Sequence, residues 1–191
     1  VGGITATPIS RTTLNFSPTL RMSYKPQRGT ELRLDYFGRS FAPTNEQLSP
    51  VQDVTNPLIS YVGNQDLLPG FQHNLFGRFS KYWTKTQTSL SVFGRAQVVQ
   101  NDIIQRSLYD VTTGKRTIDY TNVDGNASVG IGGFLTQTLP GKKFSIRVAS
   151  FNDLARSNTY INGEKNRSLA LRLREELGLN YRVTGIDMTL K

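Results

Sequence analysis

The sequence predicts an all-β fold: an antiparallel, up-and-down transmembrane β-barrel, of which this chain supplies about eight strands as part of a larger barrel. Three observations predict it. Apolar and polar residues alternate over long segments, short and long connections follow one another, and basic residues recur at the polar positions. Successive side chains of a strand point to opposite sides, so each segment has one apolar and one polar face. A lipid-embedded wall around a polar lumen requires both faces.

The alternation is clearest in three segments, which carry an apolar residue at almost every second position: 14–25, 31–36 and 169–182. Long strands with Arg, Glu and Asn along one face are unusual in a soluble β-sandwich. Glu175 departs from the pattern, because it lies on the leucine face of the last segment. A lipid-facing carboxylate near mid-bilayer costs on the order of a few kcal/mol. We therefore expect either a β-bulge that shifts the register there or a strand portion above the membrane.

The connections are as informative as the strands. The predicted strands run over 11–25, 31–42, 72–83, 87–101, 118–138, 143–152, 167–182 and 185–191. Tight turns are predicted at 25–30, 84–86, 140–142 and 183–185, and long excursions at 43–71, 102–117 and 153–166. Short and long connections thus alternate, as the short periplasmic turns and long outer loops of outer-membrane barrels do.

Aromatic residues predict two interfacial girdles at the ends of these strands. Those beside the short turns are Tyr24, Tyr82, Trp83, Phe144 and Tyr181. Those toward the long excursions are Phe37, Phe41, Tyr109, Tyr120, Phe151 and Tyr160.

Composition narrows the function classes. A chain of 191 residues suffices for one domain, and we predict a single β-barrel segment over residues 1–191. The absence of Cys excludes disulfides and Cys-based zinc or redox sites. The formal charge of +9 points to anionic partners. No stretch approaches the roughly 20 apolar residues of a membrane helix, and the mean hydropathy of −0.38 suits a half-polar barrel. Val1-Gly2-Gly3 does not resemble a natural start, so we expect a piece of a longer chain.

The catalytic inventory predicts no enzyme, no cofactor and no metal site. His73 is the only histidine, which excludes a multi-histidine metal site. A Ser-His-acid triad through His73 leaves an outer-membrane hydrolase as an alternative, but no nucleophile elbow supports it. The glycines of 130–133 lack dinucleotide spacing and a following helix, so we interpret them as residues that ease strand curvature or plug contact. No basic cluster is interleaved with aromatics, so nucleic acid is not a predicted partner.

The arginines are the candidate substrate-binding residues. They occupy polar positions of the strands singly, at Arg21, Arg33, Arg39, Arg78, Arg95, Arg147, Arg172 and Arg174. Most are expected to pair with lumen carboxylates, because buried polar groups need partners. The excess positive charge leaves room for an anionic solute or for lipopolysaccharide phosphates.

Several segments in order resemble the barrel of TonB-dependent receptors, and most closely the outer membrane protein beta-barrel family. They are 16–24, 32–36, the loop pieces Gln47-Leu48-Ser49-Pro50, Thr55-Asn56-Pro57 and 63–69, and then His73-Asn74. The resemblance implies an outer-membrane location and a barrel of about 22 strands with an N-terminal plug, neither plug nor TonB-contacting segment being in this chain. It also implies energised uptake of a scarce, unidentified small solute, with TonB, the plug, membrane lipid and lipopolysaccharide as partners. Gly63, Asn64, Leu67 and Pro69 are expected to fix how the long loop re-enters the wall.

Other interpretations remain open from the sequence. A complete small barrel of about eight strands, with an adhesin or structural role, fits the length. A soluble β-sandwich is a further alternative. It predicts that the leucines of 169–173 are shielded from lipid.

Overall fold

The computed structural model describes residues 14–51, 53–184 and 186–190, and at 53–55 the backbone alone. Within these residues the chain is almost entirely β-structure, with one helix of four residues. The elements are β1 (Thr19–Gln27), β2 (Thr30–Phe41), α1 (Asn45–Leu48), β3 (Asp53–Asn56), β4 (Ile59–Tyr61), β5 (Gly70–Trp83), β6 (Thr88–Gln100), β7 (Asp102–Tyr109), β8 (Arg116–Val123), β9 (Asn126–Thr138), β10 (Phe144–Ile161), β11 (Glu164–Val183) and β12 (Ile186–Leu190).

Eight of these strands form a part of the sheet in which neighbours are antiparallel, and this part is called the wall below. Its order is β1-β2-β5-β6-β9-β10-β11-β12. The wall is open, because among the described residues β1 and β12 do not pair with each other. The predicted antiparallel, up-and-down barrel architecture is confirmed, and the alternative of a small barrel closed by these strands is not what the structure shows.

The register of the wall sorts its side chains into two faces. Residues that pair across antiparallel strands share a face, and Leu90 pairs with Leu135, which pairs with Val148. Val148 in turn lies opposite Leu177, which is 68% exposed. Apolar side chains thus cover this outward face, and many of them are exposed. The opposite parity carries the arginines, and it is called the lumen face below.

The same sheet continues beyond the upper end of the wall as four shorter strands, which are called the outer sheet. It pairs β7 with β8 antiparallel, β8 with β4 parallel, and β4 with β3. It joins the wall where Tyr160 and Ile161 of β10 run parallel to β7. Its core is a cluster of Leu48, Leu67 and Tyr120, with Ile103 packed against it.

Three predicted boundaries are wrong. Residues 14–18 are not strand, so the first strand begins at Thr19, and residues 11–13 lie outside the described part. The predicted excursion 102–117 is the β7–β8 hairpin, and the predicted strand 118–138 is two strands divided at Asp124 and Gly125. The physical reason for the division is the left-handed backbone of Gly125, whose φ of +94° interrupts extended chain.

The predicted excursion 153–166 is also wrong, because β10 and β11 continue through it. They pair without interruption from Phe144↔Tyr181 to Ile161↔Glu164. Asn162 and Gly163 close the hairpin with φ values of +51° and +80°, and a two-residue type I′ turn requires positive φ at both of these positions. The strict alternation of short and long connections therefore fails at this hairpin.

The same register settles one of the two expectations for Glu175. No β-bulge shifts the pairing around it, since Ser150 lies opposite Glu175 in an unbroken ladder. Glu175 is exposed on the outward face, between Leu173 and Leu177.

The girdle near the short turns is largely as predicted, whereas of the aromatics expected at the upper end only Tyr160 has the outward parity of the wall. Phe144 and Tyr181 pack at 4.8 Å between ring centroids on the outward face, and the Lys81 ammonium lies 5.0 Å from the Trp83 ring. Tyr82 has the lumen parity instead. Of the aromatics expected at the upper end, Phe37 and Phe151 have lumen parity and Tyr120 is buried in the outer sheet. Other outward aromatics there are Phe16, Tyr36 and Phe71.

Candidate functional site

The lumen face of the wall is the candidate site, and every predicted arginine lies on it. Hydrogen-bonded pairing places a continuous row of residues across seven strands of the wall: Arg21, Asp35, Phe76, Arg95, Gly130, Asp153 and Arg172. The adjacent row carries Arg33, Arg78 and Arg174. Arg39 shares their face near the upper end, and Arg147 near the lower end.

Asp35 holds two of the arginines. Arg21 Nε donates to Asp35 Oδ1 at 2.7 Å, and Arg33 Nε donates to Asp35 Oδ2 at 2.6 Å. The Asp35 side chain is largely shielded, whereas both guanidinium groups are exposed. One carboxylate thus fixes the position of two cations that still face the lumen.

Two glycines of β9 allow contacts to pass over that strand. Arg95 Nη2 donates to Asp153 Oδ1 at 2.6 Å, although β9 separates their strands. A Cβ at Gly130 would stand 2.4 Å from Asp153 Oδ1. In the next row, Phe93 and Phe151 pack at 5.8 Å between centroids across Gly132. That this glycine run eases strand curvature stays a prediction. The structure shows that Gly130 and Gly132 leave space for side chains of the two neighbouring strands to meet above β9.

Aromatic rings hold further cations in place. The Arg147 guanidinium lies 4.1 Å from the Phe134 ring centroid, within cation–π range. Arg174 lies 5.8 Å from the Phe151 ring, and its Nη2 stands 3.4 Å from Glu176 Oε2. Most of the predicted arginines therefore have an internal partner on the lumen face.

Three arginines differ from the others. Within the described part of the chain, Arg39, Arg78 and Arg172 have neither a carboxylate at ion-pair distance nor a cation–π ring, whereas Arg147 lacks a carboxylate but has the Phe134 ring. Arg78 lines a concavity of about 400 Å³, together with Arg33, Asp35 and three neighbours. The arrangement can offer a guanidinium to an anionic group that enters the lumen.

The long loop before β5 is anchored by the predicted structural residues. The Gly63 N–H donates to the Ser49 carbonyl at 2.8 Å, and a Cβ there would stand 2.3 Å from that oxygen. Asn64 Nδ2 donates to the Tyr120 carbonyl at 2.9 Å. Leu67 is fully buried, and Pro69 directly precedes the buried first residue of β5. These contacts join the loop to the outer sheet.

The outer sheet carries its own polar pairs. Arg106 and Asp119 lie directly opposite on β7 and β8, and two guanidinium nitrogens donate to the carboxylate. The hydrogen bonds that Arg106 donates to Asp119 raise the pKa of Arg106, and the negative charge of Asp119 raises that pKa further. At the hairpin tip, hydrogen bonds from the Thr113 hydroxyl and the Thr112 N–H lower the pKa of Asp110.

His73 lies on the outward face, away from the lumen. Its Nδ1 stands 3.0 Å from the Tyr36 hydroxyl, and its ring packs 4.7 Å from that of Phe71. Among the described residues, neither a serine hydroxyl nor a carboxylate forms a hydrogen bond with it. A triad is therefore not assembled around His73.

Sequence reasoning missed Asp153 as a partner of the arginine row. It had been assigned to an excursion, yet it shares parity with Arg147 and Phe151 on β10. Extending the alternation of β10 upward is the signal that would have found it. Metal ligation is not indicated either: within the described residues, no group of three His, Cys, Asp or Glu side chains lies together.

The comparisons with known proteins agree with this geometry. The family model described as "Outer membrane protein beta-barrel family" matches residues 4–184, so the chain belongs to that family and to the outer membrane. The structure is similar to that of the siderophore receptor PirA from Pseudomonas aeruginosa, with a TM-score of 0.53 and 14% identity, a likeness of fold. The match covers 87% of this chain and 36% of the receptor, so the chain spans about a third of that protein's length. No curated protein matched the chain.

No helix in the described part of the chain is long and apolar enough to cross a membrane. Because the chain belongs to an outer-membrane family, the outward, apolar face of the wall is the surface that meets membrane lipid and lipopolysaccharide.

Proposed function

We propose that this chain is a wall segment of an outer-membrane receptor that takes up a scarce, anionic solute with energy delivered through TonB. In this proposal the chain is a single barrel segment without catalytic activity, and a plug carried elsewhere in the protein fills the lumen. The outer loops capture the solute, and the lumen face contacts it as the plug moves.

The observation that carries the proposal is that some lumen arginines are held by carboxylates, whereas others have no carboxylate partner among the described residues. Arg21, Arg33 and Arg95 are held by carboxylates, whereas Arg39, Arg78 and Arg172 have no such partner within the described residues. Arginines without an internal carboxylate keep their guanidinium donors available for charge-assisted hydrogen bonds to an anionic group that enters the lumen. The net charge of +9 has the sign that an anionic solute requires. The likeness of fold to a siderophore receptor supports the same class of protein.

The experiment compares a deletion strain with the strain complemented by the whole protein. Each is offered radiolabelled ferric siderophores of negative, zero and positive net charge, and labelled cobalamin. We expect accumulation of a negatively charged ferric complex only in the complemented strain, and loss of that accumulation when a protonophore collapses the membrane potential. Accumulation that is insensitive to the protonophore would show that energised uptake is wrong. Equal accumulation in both strains for every probe would remove the uptake proposal.

The other functions receive less support from the geometry. A hydrolase would need a nucleophile and an acid at His73, and the described residues place Tyr36 and Phe71 there instead. An adhesin of about eight strands would need the wall to close on itself, and among the described residues β1 and β12 do not pair.

A further inference from the structure

A chain of three polar side chains interrupts the apolar outward face of the wall. Asn152 Nδ2 donates to Ser150 Oγ at 2.9 Å, and Ser150 Oγ donates to Glu175 Oε1 at 2.9 Å. The three share one face, because Ser150 lies opposite Glu175 and Asn152 lies opposite Leu173. We call these three residues the outward polar chain.

The outward polar chain lies at the middle of the membrane-facing run. On the same face of β11, apolar residues occupy the positions above and below Glu175: Leu169, Leu171, Leu173, Leu177, Leu179 and Tyr181. Glu175 is midway between Leu169 and Tyr181 in sequence. With about 3.3 Å per residue and a strand tilt near 40°, it stands roughly 15 Å from either end of this run. An apolar belt about 25 Å tall therefore surrounds it on both sides.

Lipid alone is a poor environment for this group. Hydrocarbon offers neither a donor nor an acceptor, and each unsatisfied polar group there is costly. Among the described residues Glu175 accepts a hydrogen bond from Ser150 only, and the second amide hydrogen of Asn152 has no acceptor. Gly133 lies opposite Ser150 and has no side chain, so the surface beside the outward polar chain is low enough for another surface to approach.

We propose that the outward polar chain is the centre of a contact between two copies of this wall, packed side by side in the membrane. The feature that selects a second copy is self-complementarity: Asn152 supplies a free donor and Glu175 a free acceptor, one position apart on the same face. A two-fold rotation about the membrane normal brings the donor of one copy to the acceptor of the other, as an isologous interface requires. An apolar side chain is accommodated as well by lipid as by a protein partner. The polar groups therefore distinguish this patch from the rest of the belt.

The test uses the whole protein in its native outer membrane, with any cysteine outside this segment replaced by serine, and residues 1–191 themselves contain no cysteine. Leu177→Cys places one thiol beside Glu175 on the outward face, and Leu75→Cys places one on the outward face of β5 as the control. After brief oxidation, we expect a disulfide-linked species of twice the mass for Leu177→Cys, at least tenfold more than for Leu75→Cys. Equal yields from the two positions would indicate random collision and overturn the proposal.

Second-site variants in the Leu177→Cys background separate the polar contact from mere proximity. Glu175→Leu should lower the dimer yield at least fivefold, since its side chain is as well accommodated by lipid as by protein. Glu175→Gln should retain the yield, because its amide still accepts from Asn152. The amount of folded barrel, read by its resistance to unheated detergent, controls for assembly. An unchanged yield in Glu175→Leu, or a crosslinked product that mass spectrometry assigns to a different protein, would show that a second copy is not the partner.

Discussion

Arg95 and Asp153 form an ion pair across an intervening strand, with Arg95 Nη2 2.6 Å from Asp153 Oδ1. Arg95 belongs to β6 and Asp153 to β10, and both strands flank β9. The pair passes over Gly130, which lies directly opposite both residues. The absence of a side chain at one position of β9 thus decides which charges meet on the lumen face.

The first prediction is that Gly130→Ala destabilises the wall. The new Cβ would stand 2.4 Å from Asp153 Oδ1 and 3.0 Å from Arg95 Nε, so the ion pair must open. Both atoms belong to flexible, exposed side chains that can move aside, so the expected cost is the loss of this ion pair, about 0.2–1 kcal/mol. The measurement is the thermal unfolding midpoint of the whole protein in detergent. Gly94→Ala is the matched control, because its Cβ meets only the Gly130 carbonyl at 3.7 Å. Equal midpoints for the two variants would contradict the argument that a Cβ at position 130 opens the Arg95–Asp153 ion pair.

The second prediction concerns solute affinity. Arg78→Gln removes a guanidinium that has no carboxylate partner among the described residues and that lines the lumen concavity. We expect the apparent KM for uptake of the anionic ferric complex to rise about tenfold, the loss of one charge-assisted hydrogen bond of roughly 1.5 kcal/mol. Arg28→Gln removes the same charge from the β1–β2 turn, from a residue that does not line this concavity, and should leave KM unchanged. If both variants raise KM equally, net charge rather than Arg78 is responsible.

The third prediction concerns the long loop. Gly63→Ala forces a Cβ to within 2.3 Å of the Ser49 carbonyl oxygen and 2.6 Å of the Ser49 nitrogen. Both are backbone atoms, so the loop must move rather than a side chain. We expect the loop to be cleaved faster by protease added to intact cells, while the wall strands stay protected. Val111→Ala, at a fully solvated position of the β7–β8 tip, is the control. Unchanged cleavage in Gly63→Ala would show that this close approach does not hold the loop.

The fourth prediction is a pH dependence at the tip of the outer sheet. The Thr113 hydroxyl and the Thr112 N–H hold the pKa of Asp110 below its usual value. A lowered folded-state pKa adds stability that is fully present above the unfolded value, about 3.9, and is lost as pH falls through the folded value. We therefore expect hydrogen-exchange protection of the Gly114 N–H, which donates to the Asp110 carbonyl at 2.8 Å, to decrease below about pH 4.

The variant Asp110→Asn checks this interpretation, because its amide oxygen still accepts the hydrogen bond from the Thr112 N–H and its side chain does not titrate. Its protection should be flat over the same pH interval. A decrease of equal size in Asp110→Asn would assign the pH dependence to another group.

Parity is the property that carried the sequence predictions. Arg21, Arg33 and Arg172 were assigned to the polar face because every second residue of their strands is apolar, and the register places them there. The signal exists because lipid and lumen differ sharply, so selection acts on each face separately. Above the membrane that contrast disappears. Residues 156–159 and 164–166 are polar on both faces, and for that reason the sequence predicted an excursion where β10 and β11 continue.

The sequence by itself determined that the chain forms a two-faced, antiparallel wall, because the alternation of period two is a local property of each strand. Only the tertiary structure decided which residues meet. The Arg95–Asp153 pair depends on the missing side chain of Gly130, and the outward polar chain depends on an unbroken register that sets Ser150 opposite Glu175. Both are contacts between strands, and a one-residue slip in pairing would abolish them without changing the pattern of any single strand.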